Sequence, residues 1–443
     1  MTAPEERDLD LVLWGATGYT GRLVARYLVR SLSRSPSRNP SRGRSGTPEP
    51  LAWALAGRSR EKLEALRDEL TDADPDARHL PLLVADALDP DSLEPLVRRT
   101  RVVCTTVGPY ARYGTPLVEL CARHGTDCCD LTGEVPWMRR TVERFHDRAA
   151  AAGARIVHCC GFDSIPSDLG TLLTHRALER AGSRLRRNRL RVRSTRGRFS
   201  GGTVASLFEI LKEAREDRAV RRILVDPYAL NPENERAGPD GRDRMRPHLD
   251  DDRGMWTGPF LMAGINTRIV RRSNALLGYP YGRDFRYDEA MDTGRGVGGR
   301  VRAEMLSAGL AAFTAGAALP PTAWLLRSFV LPSPGEGPTA EERARGYFRI
   351  VLYGEGEPAE PAGPPVRVET TVSADRDPGY GATCRMLAES ALCLARGEAE
   401  GLPGGVLTPA SGLGLPLVDR LRQAGITLEA RIEAGAPPSP LEE

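Results

Sequence analysis

Three glycines, Gly15, Gly18 and Gly21, stand between an apolar run, Leu9 to Trp14, and a stretch whose helical spacing puts Leu23, Val24, Tyr27 and Leu28 on one face. Glycines at such a point let backbone approach a pyrophosphate closely, and the following helix aims its free N–H groups at the anion. The order strand, glycine turn, helix is the context a dinucleotide site requires; a purely structural turn is the alternative. Gly15, Ala16, Thr17, Gly18, Tyr19, Thr20 and Gly21 form the candidate loop.

Further chemistry sits at the ends of the next apolar runs. Leu51 to Ala56 ends in Gly57-Arg58-Ser59-Arg60, with Lys62 one turn on. An acidic residue there would take a ribose 2′-OH, whereas a guanidinium forks onto a 2′-phosphate, so Arg58, Ser59 and Lys62 favour NADP(H) over NAD. The bland alternative is a solvated charge run at a helix start. Leu80 to Val84 is followed by Asp86, placed either to reach an adenine amino group or to cap the next helix. Val102 to Val107 ends in Gly108-Pro109-Tyr110, small residues against which a nicotinamide ribose can lie. Arg155 to Cys160 leads into Gly161-Phe162-Asp163-Ser164-Ile165-Pro166-Ser167-Asp168, where Ser167 is the expected helix cap. Asp163 and Asp168 are turn and capping residues or face a substrate.

These residues need a frame. Apolar strands alternating with helices up to Cys160 predict a doubly wound parallel α/β sheet of the Rossmann type, with ligands at the carboxyl ends of its strands. From Leu185 the pattern changes. Leu190, Val192 and Thr195 alternate with arginines, as in an antiparallel strand with one exposed basic face. Arg345 to Tyr353 and Val366 to Ser373 read as paired strands, followed by a helix from Tyr380 to Arg396. The expected organisation is residues 1–170 as the NADP-binding unit, with 31–50 a flexible Ser/Arg/Pro insertion. Residues 171–400 form an α+β unit with a mostly antiparallel sheet for substrate and dimerisation, and 401–443 return to the first unit.

The chain has 443 residues, 40% apolar and 27% charged, enough for two or three cored domains. Its 62 basic residues nearly balance 59 acidic ones, and no concentrated basic domain suggests nucleic acid. Eight cysteines without a CxxC pair, and six scattered histidines, suggest reduced buried thiols and no metal site. The polar, acidic start lacks a signal peptide, so a cytoplasmic location is expected. Met305 to Leu326 carries no charge over 22 residues, interrupted by Pro320-Pro321. A buried or hairpin-forming helix is the first expectation, peripheral contact with a membrane the second, and a true membrane span the third.

GATGYTG, the AGR ending the second strand, VGPYARYGTPLVELCARHGTDCCDLTGE and CCGFDSIPSDLG follow one another in this order, with DPGYGATCRMLAESAL and GGVLTPASGLG further on. Together they resemble the saccharopine dehydrogenase-like oxidoreductases, in the branch of the mycobacterial trans-acting enoyl reductases. The resemblance covers the chain outside Ser31–Pro50 and residues 215–340. It implies NADP-linked hydride transfer and, for that branch, reduction of a carbon–carbon double bond in long polyketide-derived lipids. By position, residues 15–20 would hold the pyrophosphate, Arg58 the 2′-phosphate and Asp86 the adenine, while Gly108, Pro109 and Tyr110 would lie by the nicotinamide.

Enoyl reduction delivers hydride to the β-carbon and a proton to the α-carbon. Tyr110 is the first candidate for that proton or hydrogen bond, with Asp163, Ser164 and Tyr380 on the substrate side; a pocket wall is the alternative for Tyr110. Three functions stand: a reductase of a lipid or polyketide handed over by a polyketide synthase, a saccharopine-type amino-acid oxidoreductase, and a non-catalytic NADP-binding scaffold. A homodimer is allowed.

Overall fold

The computed structural model describes residues 7–33, 51–197, 201–250, 252–318, 322, 337–358 and 363–433. The first sheet is built from β1 (Leu9–Trp14), β2 (Trp53–Gly57), β3 (Leu82–Val84), β4 (Thr100–Thr105), β5 (Asp127–Cys129) and β6 (Arg155–Val157). Its order is β13-β6-β5-β4-β1-β2-β3, all parallel, where β13 (Gly405–Leu407) arrives from far down the chain. The chain moves outward from β1 to β3 and then returns to β4 on the other side of β1. That reversal opens a crevice at the carboxyl ends of β1 and β4. Leu11, Leu13, Leu55 and Cys104 fill one face of the sheet, and Val12, Ala54, Val103 and Cys128 the other.

Helices α1 (Tyr19–Ser33), α2 (Arg60–Thr71), α3 (Pro90–Arg99), α4 (Tyr110–Tyr113), α5 (Thr115–His124) and α6 (Val135–Ala152) connect these strands. The next helix, α7 (Ile165–Arg180), leaves the edge of the first sheet and runs beneath the second. A Cβ on its Gly170 would lie 2.8 Å from Leu352 Cδ1, and Thr174 bonds Thr370 at 2.7 Å. The expected boundary at residue 170 therefore falls inside α7. The second sheet contains β7 (Leu185–Arg196), β8 (His248–Asp250), β9 (Met255–Gly258), β10 (Arg286–Gly294), β11 (Tyr347–Pro358), β12 (Pro365–Ala374) and β14 (Thr427–Ile432). Its order is β14-β12-β11-β7-β10-β9-β8, antiparallel except for the β7–β10 pair. A parallel Rossmann sheet beside a mostly antiparallel one is the expected fold class.

Three local expectations need correction. The arginines of β7 do not form one continuous exposed basic face: Arg186, Arg193 and Arg196 are exposed, but Arg189 and Arg191 are buried. Arg191 meets Asp288 at 2.7 Å and Asp250 at 3.3 Å, and Arg189 meets Asp250, Asp252 and Glu355. Those carboxylates come from β8, its following turn, β10 and β11, distant in sequence. The segment from 401 onward does not return to the first unit alone, because β14 completes the second sheet at β12. The apolar segment from Met305 begins inside a helix, Gly296–Ala318, that is not buried. Val297, Val301 and Met305 are 81%, 50% and 68% exposed, while Leu306 docks it on Gly258. Residues 319–321 and 323–326 of that segment, and 34–50 of the expected insertion, lie outside the described residues. No helix among the described residues is long and apolar enough to cross a membrane.

Candidate active site at the carboxyl edge of the first sheet

The glycine loop is fastened to its neighbours and leads into the N-terminus of α1. The amides of Gly15 and Ala16 both donate to Ala56 O, at 3.0 and 3.1 Å, fastening the loop to β2. Gly15 takes φ +84°, open to glycine at little cost, and a Cβ there would meet Val107 at 2.7 Å. A Cβ on Gly21 would fall 2.2 Å from Gly15 O, so α1 can start against the turn only with glycine there. No acidic residue occupies the first turn of α1, leaving its N-terminal dipole unopposed. Thr17, Tyr19 and Thr20 are partly exposed beside the exposed Gly18. These residues fit a dinucleotide pyrophosphate.

At the end of β2, Arg58 and Lys62 are exposed, and neither has a carboxylate partner among the described residues. Ser59 is engaged locally, because its hydroxyl caps α2 by accepting from Lys62 N at 3.3 Å. Asp86 is exposed just past β3, with one carboxylate oxygen accepting from Leu88 N at 2.8 Å. This is a turn cap, with the second oxygen outside that bond.

Gly108, Pro109 and Tyr110 follow β4 as expected, but the Tyr110 hydroxyl points into protein. It donates to Thr105 O at 3.2 Å and accepts from Leu131 N at 3.1 Å, while its ring packs on Trp137. Burial drives this phenol well above its ordinary range. Both bonds tie the loop after β4 to the loop after β5, so the side chain serves as a wall of the site. Glu134, absent from the candidate residues above, organises the same corner. Its carboxylate accepts from Tyr110 N at 2.8 Å and Ala111 N at 2.7 Å, capping α4, and from Ser206 Oγ at 2.6 Å. Ser206 lies on α8 (Gly201–Glu216), so the second unit is fastened here. Beneath it, His158 Nδ1 donates to Asp130 Oδ2 at 2.6 Å, and Asp130 Oδ1 accepts from Thr132 N and Cys159 N. Two loops are thereby clasped by one buried carboxylate.

Asp163 and Ser164 are neighbours with different surroundings. Ser164 is fully buried: its hydroxyl donates to Asn266 Oδ1 at 3.0 Å, and Asn266 donates to Glu289 at 2.9 Å. Asn266 lies on the helix Ala263–Leu276, so Ser164 anchors the two units to each other. It also precedes α7 directly, at the cap position expected of Ser167. Asp163 is only partly buried and has no hydrogen-bond partner among the described residues. Desolvation alone raises its carboxyl to about 6. Its nearest polypeptide features include Gly133, where a Cβ would stand 4.0 Å from Asp163 Oδ2 and 2.9 Å from Ile265 Cδ1. Asp168, also raised to about 7 by burial, is fully engaged by Ser273 at 2.5 Å and Ala410 N at 2.7 Å.

Comparison with known proteins agrees with this geometry. Residues 11–157 match the saccharopine dehydrogenase NADP binding domain. A Mycobacterium tuberculosis protein provisionally named as a trans-acting enoyl reductase is 43% identical over 439 residues, covering 96% of this chain and 97% of its own. The trans-acting enoyl reductase of Mycobacterium ulcerans is 40% identical over 449 residues, covering 96% and 98%. The chain belongs to the saccharopine dehydrogenase-like oxidoreductases, in the trans-acting enoyl reductase branch. The fold also matches the apo saccharopine dehydrogenase (L-Glu forming) of Saccharomyces cerevisiae, with TM-score 0.52 at 14% identity over 96% of this chain and 99% of that one.

As a member of this branch the protein is an NADP-dependent oxidoreductase. Its second unit supplies part of the crevice wall. Tyr380 packs edge-on against Tyr19 with centroids 4.6 Å apart, and its hydroxyl accepts from Gly201 N at 3.0 Å. Thr383 Oγ1 accepts from Phe162 N at 3.1 Å. Among the described residues no cluster of His, Cys, Asp or Glu is arranged to hold a metal ion.

Proposed function

We propose that this oxidoreductase reduces the carbon–carbon double bond of an enoyl group in a lipid or polyketide-type substrate handed over by a separate polyketide synthase. The observation that carries the reading is Asp163, a partly buried carboxyl at the carboxyl edge of the first sheet without a hydrogen-bond partner among the described residues. NADPH, when bound at the glycine loop, would supply hydride to the β-carbon, and the α-carbon would then need a proton. Asp163, protonated in part near neutral pH because burial raises it to about 6, is the proposed donor. Glu134 and Asp130 position the loops around it. The Tyr110 hydroxyl, bonded on both sides, is the proposed pocket wall.

A saccharopine-type reading would use arginines to grip substrate carboxylates. The buried arginines of β7 already neutralise protein carboxylates, which favours the enoyl reading. The test is absorbance at 340 nm with NADPH and long-chain 2-enoyl thioesters, against amino-acid and oxo-acid acceptors. Oxidation driven by the enoyl thioesters alone is expected; oxidation driven only by the amino-acid or oxo-acid set would reverse the assignment.

Two finer assignments belong to the same proposal. The exposed stripe Val297, Val301 and Met305, flanked by Arg295, Arg300 and Arg302, touches an anionic membrane surface, and a second copy of the chain completes a homodimer. Flotation with vesicles containing anionic lipid, lost in Val301→Glu/Met305→Glu, and the sedimentation mass check them in turn.

A further inference from the structure

Tyr19, the first residue of α1, is where the second unit reaches the pyrophosphate loop. Its hydroxyl donates to Pro338 O and accepts from Arg343 Nη1. Arg343 Nη1 also donates to Pro338 O at 2.6 Å, and the guanidinium lies 5.7 Å from the Tyr19 ring centroid. Gly337 is pressed against the same ring, where a Cβ would fall 2.4 Å from it. Residues 337–343 thus form a strap packed on Tyr19 at the start of α1, drawn from far along the chain.

The charge on this strap is unbalanced. Arg343 is half-buried, yet no carboxylate among the described residues lies within ion-pair distance of it, and its two bonds end on neutral oxygens. Acids were available on its own short helix, Ala340–Ala344, but they are committed elsewhere. Glu342 closes a capping box with Thr339, and Glu341 pairs with Arg345. Among more buried guanidiniums, Arg191, Arg268, Arg271 and Arg420 each meet a carboxylate, while Arg272 has both of its bonds on interior carbonyl oxygens, those of Leu230 and Val406. A half-buried guanidinium bonded only to neutral oxygens is free to take an anion that arrives beside it. The adjoining feature is the N-terminus of α1, whose unopposed dipole itself draws a phosphate.

We propose that Arg343 is a ligand of the pyrophosphate of bound NADP(H), contributed by the second unit and held in place by the Tyr19 hydroxyl. The inference rests on the assignment of the glycine loop as the NADP(H) site. It gives Tyr19 a role beyond its backbone: it carries the cation that closes the loop from the opposite side. It also predicts that the strap and the cofactor stabilise each other, because the same guanidinium ties both.

The experiment is equilibrium titration of the full chain with NADPH, NADH and 2′-AMP, the last having a 2′-phosphate but no pyrophosphate. Arg343→Ala is expected to weaken NADPH and NADH by similar factors, about 10- to 100-fold for one charge-assisted contact, with 2′-AMP unchanged. Arg343→Lys should recover part of the loss, and Tyr19→Phe should show a smaller loss of the same pattern. Arg58→Ala should instead lower the preference for NADPH over NADH and weaken 2′-AMP. Binding of both dinucleotides within twofold of the parent by Arg343→Ala, with an unchanged melting curve, would overturn the proposal while leaving the NADP(H) site standing. So would a loss confined to NADPH and 2′-AMP, which would place Arg343 on the 2′-phosphate. Failure of the parent protein to bind either dinucleotide would remove the cofactor assignment itself.

Discussion

The two sheets have equal strand numbers and bury their contents in opposite ways. In the first, apolar side chains cover both faces, as a parallel sheet between helix layers requires. Its polar residues collect at the carboxyl edge, where a ligand can reach them. In the second, one face packs Leu190, Val192, Ile350, Leu352 and Val372 against α7, while the other holds Arg189, Arg191, Asp250 and Asp288 as mutual counter-ions. A run of arginines is therefore no guide to an anion site. Arg58, Lys62 and Arg343, at or beside the glycine loop, have no carboxylate partner among the described residues, whereas Arg272, also without one, is buried on the carbonyl oxygens of Leu230 and Val406.

The comparison can be broken most severely at the ligand edge. Asp163→Asn is expected to lower kcat for enoyl reduction by about 10²- to 10⁴-fold, the range for a lost general acid. If Asp163 delivers the proton, the parent rate should fall as pH rises through about 6, and this limb should vanish in the variant. The stability sign is opposite to that of a salt-bridged acid. The native carboxyl keeps its proton between about 4, the unfolded value, and about 6, so its contribution is greatest at low pH and declines over that window. Urea unfolding at several pH values should show a shallower decline in Asp163→Asn.

A second break lies in the charge lattice. Arg191→Ala leaves Asp250 and Asp288 short of a counter-ion in a buried place and should cost about 3–5 kcal/mol in urea unfolding. The control is an exposed pair in the first unit. Arg60 stands within one turn of Glu64 with its side chain 63% exposed, and Arg60→Ala should cost about 0.5 kcal/mol or less. Similar losses from the two changes would remove the distinction between a structural lattice and a solvated surface.

How much of this was readable in the sequence divides along the same line. The glycine turn and the strand ends, with Arg58 just past β2, were legible as positions because local order alone defines them: strand, turn, helix. Asp163 and Ser164 were legible as a pair but not as individuals. The start of α7 turns Ser164 into the interface with Asn266 and leaves Asp163 partly buried beside Gly133, without a hydrogen-bond partner among the described residues. Tyr110 was placed at the right strand end, but its direction depends on Leu131 N, from another loop. Glu134 had a readable signal, an acid after a glycine at a strand end, though its two amide partners belong to a different segment. Asp130 with His158, and Tyr19 with Arg343, carry no sequence signal, since each pair meets only when separate elements fold together. The buried partners of β7 were hidden for the same reason.

The late arrival of β13 bears on how the chain is made. Six strands of the first sheet are complete by Val157, but β6 has no neighbour on its outer side until Gly405–Leu407 is synthesised. On the ribosome the nucleotide-binding sheet must wait with an open edge of unpaired amides and carbonyls, a template for joining another nascent chain. The same emerging segment then supplies β14 to the second sheet, so both sheets gain an outer strand in one late event. Loss of residues 405–432 would thus damage both units together, leaving the glycine loop intact in sequence on a sheet with an exposed flank.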